Sequence, residues 1–158
     1  MNVADKLVEI LEEENVENVF GIPGDQIMPL YKALSTSGIN HVLTRHEQAA
    51  AHAADGYYRS TQKIGVCIAT ASPGALNFTM ALACAYKDNV PILVLTGDNE
   101  LMYRNSDYFQ STPQQEIFKN ITQESYHPLN GTEAVYCLRA SLFALKNNRK
   151  PQELLFIY

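Results

Sequence analysis

The stretch KIGVCIATASPGALNFTMALACAYKDNVPILVLTGD, residues 63–98, decides the fold. Its first part, residues 63–71, is rich in apolar and β-branched side chains, which is typical of a strand buried on both faces of a parallel sheet. Ser72 and Pro73 then stand where a helix start favours them, and small apolar residues continue from there. A second apolar run, VPILVLTG, follows. The order strand, helix, strand predicts a unit of a parallel α/β sheet.

The rest of the chain continues this alternation of strands and helices. We predict further helices over residues 3–14, 27–34, 46–59, 114–119 and 132–147, and further strands over 18–24, 39–45, within 121–129 and over 152–158. The fold class is therefore α/β, with three layers (α/β/α) around a mostly parallel sheet of six strands. Because no repeat, low-complexity tract or linker interrupts the sequence, we expect a single domain over residues 1–158.

Composition and charge exclude two classes of partner. The chain has 158 residues and a net charge of -5, and its basic residues are scattered, so neither nucleic acid nor an anionic membrane surface is expected. No apolar segment reaches the length of a membrane span. The cysteines Cys67, Cys84 and Cys137 lie in apolar surroundings without metal-finger spacing. We therefore expect buried, reduced thiols in a cytoplasmic protein, and no metal ligands.

Four polar loops follow predicted strands or begin predicted helices. They cover residues 22–25, 45–48, 70–74 and 96–98. In an open α/β sheet, ligands bind beyond the carboxyl ends of the strands, so these loops are candidates for a binding site. Every parallel α/β domain has such loops, and the pattern alone does not identify a ligand. The loop at 70–74 matches neither dinucleotide-binding nor P-loop patterns, and Ser72 lacks the G-x-S-x-G setting of a hydrolase.

Glu47 stands in the first turn of the predicted helix 46–59, where the run AAAHAADG at 49–56 consists mostly of alanine and glycine. A carboxylate in the first turn of a helix is stabilised by the helix dipole, and it is often no more than a cap. Small residues also let another element pass very close, and that element would exclude water from Glu47. Desolvation would raise the pKa of Glu47 and make it an effective proton donor and acceptor. Both interpretations stay open here, and the neighbouring His46 is a further candidate.

Four blocks of the sequence resemble a known family when they are taken together. They are FGIPGD at 20–25, RHEQAAAHAADGYYRST at 45–61, GVCIATASPGALNFTMALACAYKDNVPILVLTGD at 65–98 and DYFQ at 107–110. In order and spacing they resemble the N-terminal pyrimidine-binding domain of thiamine-diphosphate enzymes. The likeness is strongest to the acetolactate synthase (acetohydroxyacid synthase) large subunits, and it covers residues 2–158.

The resemblance implies an activity and a set of site residues. In this family the glutamate that matches Glu47 hydrogen-bonds N1′ of the cofactor's aminopyrimidine and favours the imino tautomer, so Glu47 is the expected catalytic residue. The residues implied to contact the pyrimidine are Pro23, Gly24, Thr70, Pro73 and Asn77, and those implied near the reacting centre are Phe109 and Gln110. The implied reaction joins two pyruvate molecules to 2-acetolactate with loss of CO2, as in branched-chain amino acid biosynthesis.

The sequence departs from the family pattern at four places. Asp25 replaces the second glycine of Pro-Gly-Gly, Ala71-Ser72 replaces Ser-Gly before Pro73, Asp98 replaces the glutamine of Thr-Gly-Gln, and Ser111 replaces a glutamate. The two aspartates put negative charge near a site that accepts oxoacid carboxylates. Two alternatives therefore remain: a 2-oxoacid decarboxylase that releases an aldehyde, and a non-catalytic α/β assembly module in which Glu47 is only a cap.

The family's diphosphate-binding domain, with its Gly-Asp-Gly and downstream Asn for Mg²⁺, is not in these residues. The resemblance implies that Mg²⁺ is bound through that domain, either in the same longer chain or in a partner subunit. The final strand, LLFIY, favours the longer chain, and we expect the present chain to be inactive alone. The resemblance also implies a homodimer through the alanine-rich helix 46–59, a small 2-oxoacid substrate, and an active site between subunits.

Overall fold

The structure, a computed structural model, describes residues 2–103 and 106–156. The helices are α1 (Val3–Glu13), α2 (Met28–Leu34), α3 (Glu47–Thr61), α4 (Ser72–Ala75), α5 (Thr79–Asp88), α6 (Gln114–Phe118) and α7 (Gly131–Asn148). The strands are β1 (Asn18–Gly21), β2 (Asn40–Leu43), β3 (Gly65–Ala69), β4 (Ile92–Gly97), β5 (Glu124–Tyr126) and β6 (Gln152–Phe156). Short 3₁₀ turns cover Asp25–Ile27, Leu76–Phe78 and Leu101–Tyr103. The predicted order of elements is confirmed, with boundaries shifted by a few residues. The predicted end of the last strand, residues 157–158, lies outside the described residues.

The six strands form one sheet in the order β2-β1-β3-β4-β6-β5, and each of its five pairings is parallel. Helices α1, α2 and α7 pack their apolar faces on one side of the sheet. Helices α3, α5 and α6 pack on the other side. Each face of the sheet thus has its own hydrophobic core. Alternate residues of a strand contribute to the two cores, because successive side chains of a strand point to opposite faces. The predicted three-layer α/β/α class with six strands is confirmed.

Helix α3 begins one residue later and ends two residues later than predicted. Its N-cap is His46, whose Nδ1 accepts a hydrogen bond of 3.2 Å from the backbone N–H of Gln48. A histidine nitrogen here replaces the oxygen that usually satisfies the free N–H groups of a helix start. This cap explains the position of His46 without a role in chemistry. It also places Glu47 as the first helical residue, where the helix dipole favours a carboxylate.

The small residues of α3 let this helix lie close to the sheet. Ala50, Ala51 and Ala54 are fully buried against it. A Cβ atom added to Gly65 in β3 would come within 2.2 Å of the carbonyl oxygen of Ala54, so the two backbones touch. The close neighbour predicted from the alanines is therefore the chain's own sheet on this face. The opposite face of α3 presents Ala49 and Gly56 to solvent.

The prediction of three buried cysteines is correct for one residue. Cys67 lies fully buried in β3, where burial raises the pKa of its thiol. Cys84 is exposed and Cys137 is partly exposed. The reason is helix geometry: α5 turns Ala81, Leu82 and Ala85 to the sheet, which leaves Cys84 on the outer side. In the part of the chain that the structure describes, no helix is long and apolar enough to cross a membrane.

Candidate functional site

A crevice lies at the carboxyl edge of the sheet, between β1 and β3. The two strands end side by side, with Gly21 paired to Ile68. After β1 the chain runs to α2 on one face of the sheet, and after β3 it runs to α4 and α5, toward the opposite face. Adjacent strands whose connections leave toward opposite faces open a gap between their loops, and open α/β sheets bind ligands at such a point.

The loops that flank this crevice touch at Gly24 and Thr70. A Cβ atom on Gly24 would lie 2.5 Å from Cβ of Thr70 and 2.7 Å from its Oγ1, so only glycine permits this approach. Thr70 Oγ1 donates a hydrogen bond of 2.6 Å to Oε1 of Gln26, which joins the two loops through side chains. Pro23 stands exposed beside them. The structure thus brings together the predicted residues Gly24 and Thr70.

Glu47 lies against the turn that follows β3. Asn77 Nδ2 donates a hydrogen bond of 2.9 Å to Glu47 Oε2, and the same nitrogen lies 3.2 Å from the carbonyl oxygen of Pro73. The Cβ position of Gly74 would be 3.3 Å from Glu47 Oε1 and 3.0 Å from Cγ2 of Thr70. The predicted residues Glu47, Thr70, Pro73 and Asn77 are therefore neighbours at one end of the crevice.

The burial of Glu47 differs from the sequence expectation. Glu47 is half-buried rather than enclosed, whereas Ala50, Ala51 and Ala54 of the same helix are fully buried against the sheet. The bond from Asn77 holds one carboxylate oxygen, and a carboxylate has further lone pairs on the other. Such a group can exchange a hydrogen bond with a ring nitrogen. Full exclusion of water from Glu47 requires a further element over the crevice.

Phe109 and Gln110 connect to the same region through an asparagine. Gln26 Nε2 lies 3.5 Å from Asn99 Oδ1, a long hydrogen bond, and Asn99 Nδ2 donates to the carbonyl oxygen of Phe109 at 2.9 Å. The Phe109 ring is 71% exposed, and Gln110 has a left-handed backbone with φ of 62°. Backbone contact therefore ties the predicted DYFQ segment to the crevice, while the aromatic side chain faces solvent.

The two aspartates that depart from the family pattern have different surroundings. Asp25 is exposed at the start of a 3₁₀ turn. Asp98 follows β4, and its Oδ2 lies 3.1 Å from Nε2 of His127, at ion-pair distance although without the geometry of a hydrogen bond. The His127 side chain is only 8% exposed. Where His127 is protonated, it offsets the charge of Asp98.

Several polar residues near the crevice were not predicted from the sequence. Gln26 and Asn99 each stand directly after a predicted loop motif, which is the signal that could have pointed to them. Glu153 of β6 is a charged residue directly before the apolar run LLF, and it is fully buried. Burial raises the pKa of Glu153 to about 7, against the opposing effect of hydrogen bonds from Ser125, Gln114 and Thr96. Within the described residues, no group of three or more His, Cys, Asp or Glu side chains could hold a metal ion.

The comparisons with known proteins agree on one family. The sequence profile of the thiamine pyrophosphate enzyme N-terminal TPP binding domain matches residues 1–122. The chain is 38% identical over 151 residues to the probable acetolactate synthase large subunit of Methanocaldococcus jannaschii, which covers 96% of this chain and 25% of that protein.

Two further relatives carry similar names. The chain is 48% identical over 110 residues to the acetolactate synthase isozyme 2 large subunit of Escherichia coli, covering 70% of this chain and 20% of that protein. It is 40% identical over 147 residues to the chloroplastic acetolactate synthase of Arabidopsis thaliana, covering 92% and 22%. The chain thus spans about a quarter or less of the length of the curated relatives that it matches.

Proposed function

This chain belongs to the thiamine pyrophosphate enzymes, as an N-terminal TPP binding domain, and we propose that it forms the pyrimidine-binding half of an acetolactate-synthase-like active site. The observation that carries this proposal is the bond from Asn77 to Glu47 beside the Gly24–Thr70 contact. The names of the relatives support a carboligase. The predicted family and fold are confirmed, whereas the roles of single residues are part of the proposal.

The residues at the crevice fit the aminopyrimidine ring of thiamine diphosphate. A carboxylate at Glu47 suits a ring nitrogen that carries or shares a proton. The missing side chain at Gly24 leaves room for a flat ring against the backbone. Pro23, Thr70 and Pro73 border the same space. When bound, thiamine diphosphate supplies the electron sink for loss of CO2 from a 2-oxoacid.

In this proposal Glu47 holds and moves a proton at the pyrimidine nitrogen. Asn77 has the task of fixing the carboxylate, since its 2.9 Å bond holds Oε2 and restrains rotation of the side chain. The bond from Asn77 to the carbonyl of Pro73 anchors this amide in turn. Phe109 and Gln110 are proposed to lie near the reacting centre, and the bond between Asn99 and the Phe109 carbonyl supports their nearness to the crevice.

A second copy of the chain is proposed to cover Glu47. The outer face of α3 carries small exposed residues, including Ala49 and Gly56, which let another helix approach closely. A homodimer through the alanine-rich helix 46–59 would exclude water from the half-buried Glu47 and so raise its efficiency as a proton donor and acceptor. The active site would then form between subunits.

The remaining parts of the active site are proposed to lie outside this chain. Because the chain matches only a quarter or less of its relatives, we propose that a diphosphate-binding domain, in the same longer chain or in a partner subunit, binds Mg²⁺ and the diphosphate. Residues 1–158 would form one pyrimidine-binding domain that is inactive alone. A small 2-oxoacid is the proposed substrate. A cytoplasmic location is proposed from the three free cysteine thiols.

The test is Glu47→Gln in the longer protein that carries this domain, or in this chain together with its diphosphate-binding partner. Loss of the acid–base group should lower the rate of 2-oxoacid consumption by about 10²-fold or more. Glu116→Gln, an exposed glutamate on α6, is the matched control and should leave the rate unchanged. A Glu47→Gln rate within tenfold of the parent would favour the non-catalytic assembly module. Product analysis separates the carboligase from the decarboxylase, since 2-acetolactate marks the first and free aldehyde the second.

A further inference from the structure

A buried polar cluster lies under α6, on the face of the sheet that also carries α3 and α5. Its centre is Glu153 of β6, which is fully buried. Gln114 Nε2 donates a hydrogen bond of 2.9 Å to Glu153 Oε1, and Ser125 Oγ donates to Glu153 Oε2. Thr96 Oγ1 accepts from Gln114 Nε2 at 2.8 Å and lies 3.4 Å from Glu153 Oε1. Each carboxylate oxygen of Glu153 therefore has a donor, as a buried charge requires.

The same glutamine connects this cluster to the candidate site. Gln114 Oε1 accepts a hydrogen bond of 3.3 Å from Ser72 Oγ, and the Ser72 side chain is almost fully buried. Ser72 begins α4, the turn that contains Pro73 and Gly74. One side-chain amide thus spans the distance between the carboxylate of Glu153 and the turn beside Glu47.

The two ends of the Gln114 amide are chemically different, and this difference gives Glu153 a role. A carboxylate accepts only, so it selects the NH2 end of the amide and leaves the oxygen end for Ser72. A charged acceptor also holds the NH2 group more strongly than a neutral one. We propose that Glu153 is a positioning residue that, through Gln114, fixes the Ser72–Gly74 turn in the place where it borders the pyrimidine site. The identity of the ligand in this inference rests on the proposed function.

The charged and titratable groups around Glu153 define how the cluster responds to pH. Asp98, after β4, adds negative charge that favours the protonated form of Glu153, and the Cys67 thiol of β3 is also coupled to it electrostatically. Glu124 on β5 and Glu116 on α6 are exposed. Burial raises the pKa of Glu153 to about 7, so the charge of Glu153 changes near neutral pH. Protonation turns the charged acceptor into a neutral one, which loosens the hold on Gln114 and on the turn.

The experiment is an NMR titration of the full 158-residue chain between pH 5 and 9. The carboxyl carbon of Glu153 reports its protonation, and the backbone amides of Ser72 and Gly74 report the turn. We expect these two amides to shift with the same midpoint as Glu153. Glu153→Gln should abolish the shift of both amides. Gln114→Leu should abolish it while Glu153 still titrates, and Glu116→Gln should change nothing.

Ser72→Ala serves as the second variant, because it removes a single hydroxyl at the far end of the connection. It should uncouple the Gly74 amide from Glu153 even where Gln114→Leu fails to fold. The inference is overturned if Glu153 titrates without any response of Ser72 and Gly74 in the parent chain. It is equally overturned if the Gly74 response survives in the folded Gln114→Leu chain, or in Ser72→Ala.

A second readout on the same samples separates this inference from the proposed function. Thiamine diphosphate added at millimolar concentration should shift the Gly74 and Asn77 amides of the parent chain, and Gln114→Leu should weaken this binding about fivefold, the effect of one hydrogen bond. If pH coupling is present but the cofactor shifts neither amide, the proposed function fails and the role of Glu153 in fixing the turn stands. If the cofactor shifts both amides but these amides do not follow the titration of Glu153, the proposed function stands and the role of Glu153 in fixing the turn fails.

Discussion

Asn77 Nδ2 donates a hydrogen bond of 2.9 Å to Oε2 of Glu47 while lying 3.2 Å from the carbonyl oxygen of Pro73. One amide group therefore joins the first turn of α3 to the turn after β3. These segments are thirty residues apart in sequence, as the separation of the bonded pair shows. The position of the Glu47 carboxylate thus depends on a residue of another element.

Replacing Asn77 should reduce the stability of the folded chain. Asn77→Leu removes the donor to Glu47 and Pro73, and we expect the free energy of unfolding to fall by about 1 kcal/mol. Urea denaturation at pH 7 measures this loss. Asn120→Leu, at an exposed asparagine outside the crevice, should change the free energy of unfolding by less than about 0.5 kcal/mol. Equal effects of the two substitutions would contradict a specific role of Asn77.

Because Gly24 contacts Thr70, even the small side chain of alanine at position 24 should lower the free energy of unfolding. In Gly24→Ala the new methyl group would meet Thr70 Cβ at 2.5 Å, so one loop must shift. We expect a loss of about 1–3 kcal/mol in the free energy of unfolding, as for other overpacked sites. The shift should also break the hydrogen bond between Thr70 and Gln26. Thermal or urea unfolding measures the first effect, and the amide spectrum of the loops measures the second.

Gly56→Ala is the matched control for this substitution, and it should change the free energy of unfolding in the opposite direction. Gly56 lies within α3, and no heavy atom of a described residue outside the local helix backbone is within 4 Å of its Cβ position. Alanine has a higher helix propensity than glycine, so at a protein concentration too low for self-association this variant should gain up to about 1 kcal/mol. A loss of stability in Gly56→Ala, or none in Gly24→Ala, would show that the packing at these two positions differs from the structure.

The proposed dimer predicts an effect of charge on the outer face of α3. Ala49 is exposed in the single chain, so Ala49→Arg should leave the free energy of unfolding within about 0.5 kcal/mol of the parent. If α3 forms the dimer contact, the bulky charge should abolish self-association. Sedimentation at high protein concentration measures this loss, with Thr132→Arg on the exposed side of α7 as control. Dimers that persist in Ala49→Arg would place the interface elsewhere.

The sequence was most informative where local pattern and tertiary structure agree. The apolar runs 65–69 and 92–97 are buried along their whole length, and both were predicted as central strands. Strand β5 was located only within residues 121–129, because its three residues at the edge of the sheet carry little pattern. The alanines of α3 were correctly interpreted as a close contact. The partner in that contact, the backbone at Gly65, could not be read from the sequence, because it depends on the strand order.

The loops of the candidate site could be predicted from the sequence, but the hydrogen bonds that join them to distant segments could not. The residues predicted from the family resemblance include Gly24, Thr70 and Asn77, which the structure brings to one crevice. Gln114 and Glu153 were missed, because a hydrogen-bond network between distant segments leaves no periodic trace in the sequence. The enclosure expected for Glu47 was wrong for the single chain, since Glu47 is half-buried while Ala50, Ala51 and Ala54 are the residues of α3 that are buried against the sheet.

Glu153 should make the chain less stable as the pH rises from 5 to 8. Its pKa is raised from the usual 4.5 to about 7 by burial, so between these values the folded chain holds a proton that the unfolded chain has released. The contribution of Glu153 to the free energy of unfolding is therefore greatest below pH 4.5. It falls as the pH rises from 4.5 to about 7, and it levels off above pH 7. The difference amounts to about 3 kcal/mol at most.

Glu153→Gln tests this pH dependence, because glutamine resembles the protonated acid in shape and carries no charge at any pH. At pH 5 the variant should match the parent chain within about 1 kcal/mol, and at pH 8 it should be more stable by about 3 kcal/mol. Urea unfolding curves at both pH values give the two differences, and Glu116→Gln, an exposed glutamate on α6, corrects for the loss of one negative charge. A Glu153→Gln chain that is equally destabilised at pH 5 and pH 8 would mean that Glu153 is already ionised at pH 5, and that its hydrogen bonds outweigh its desolvation.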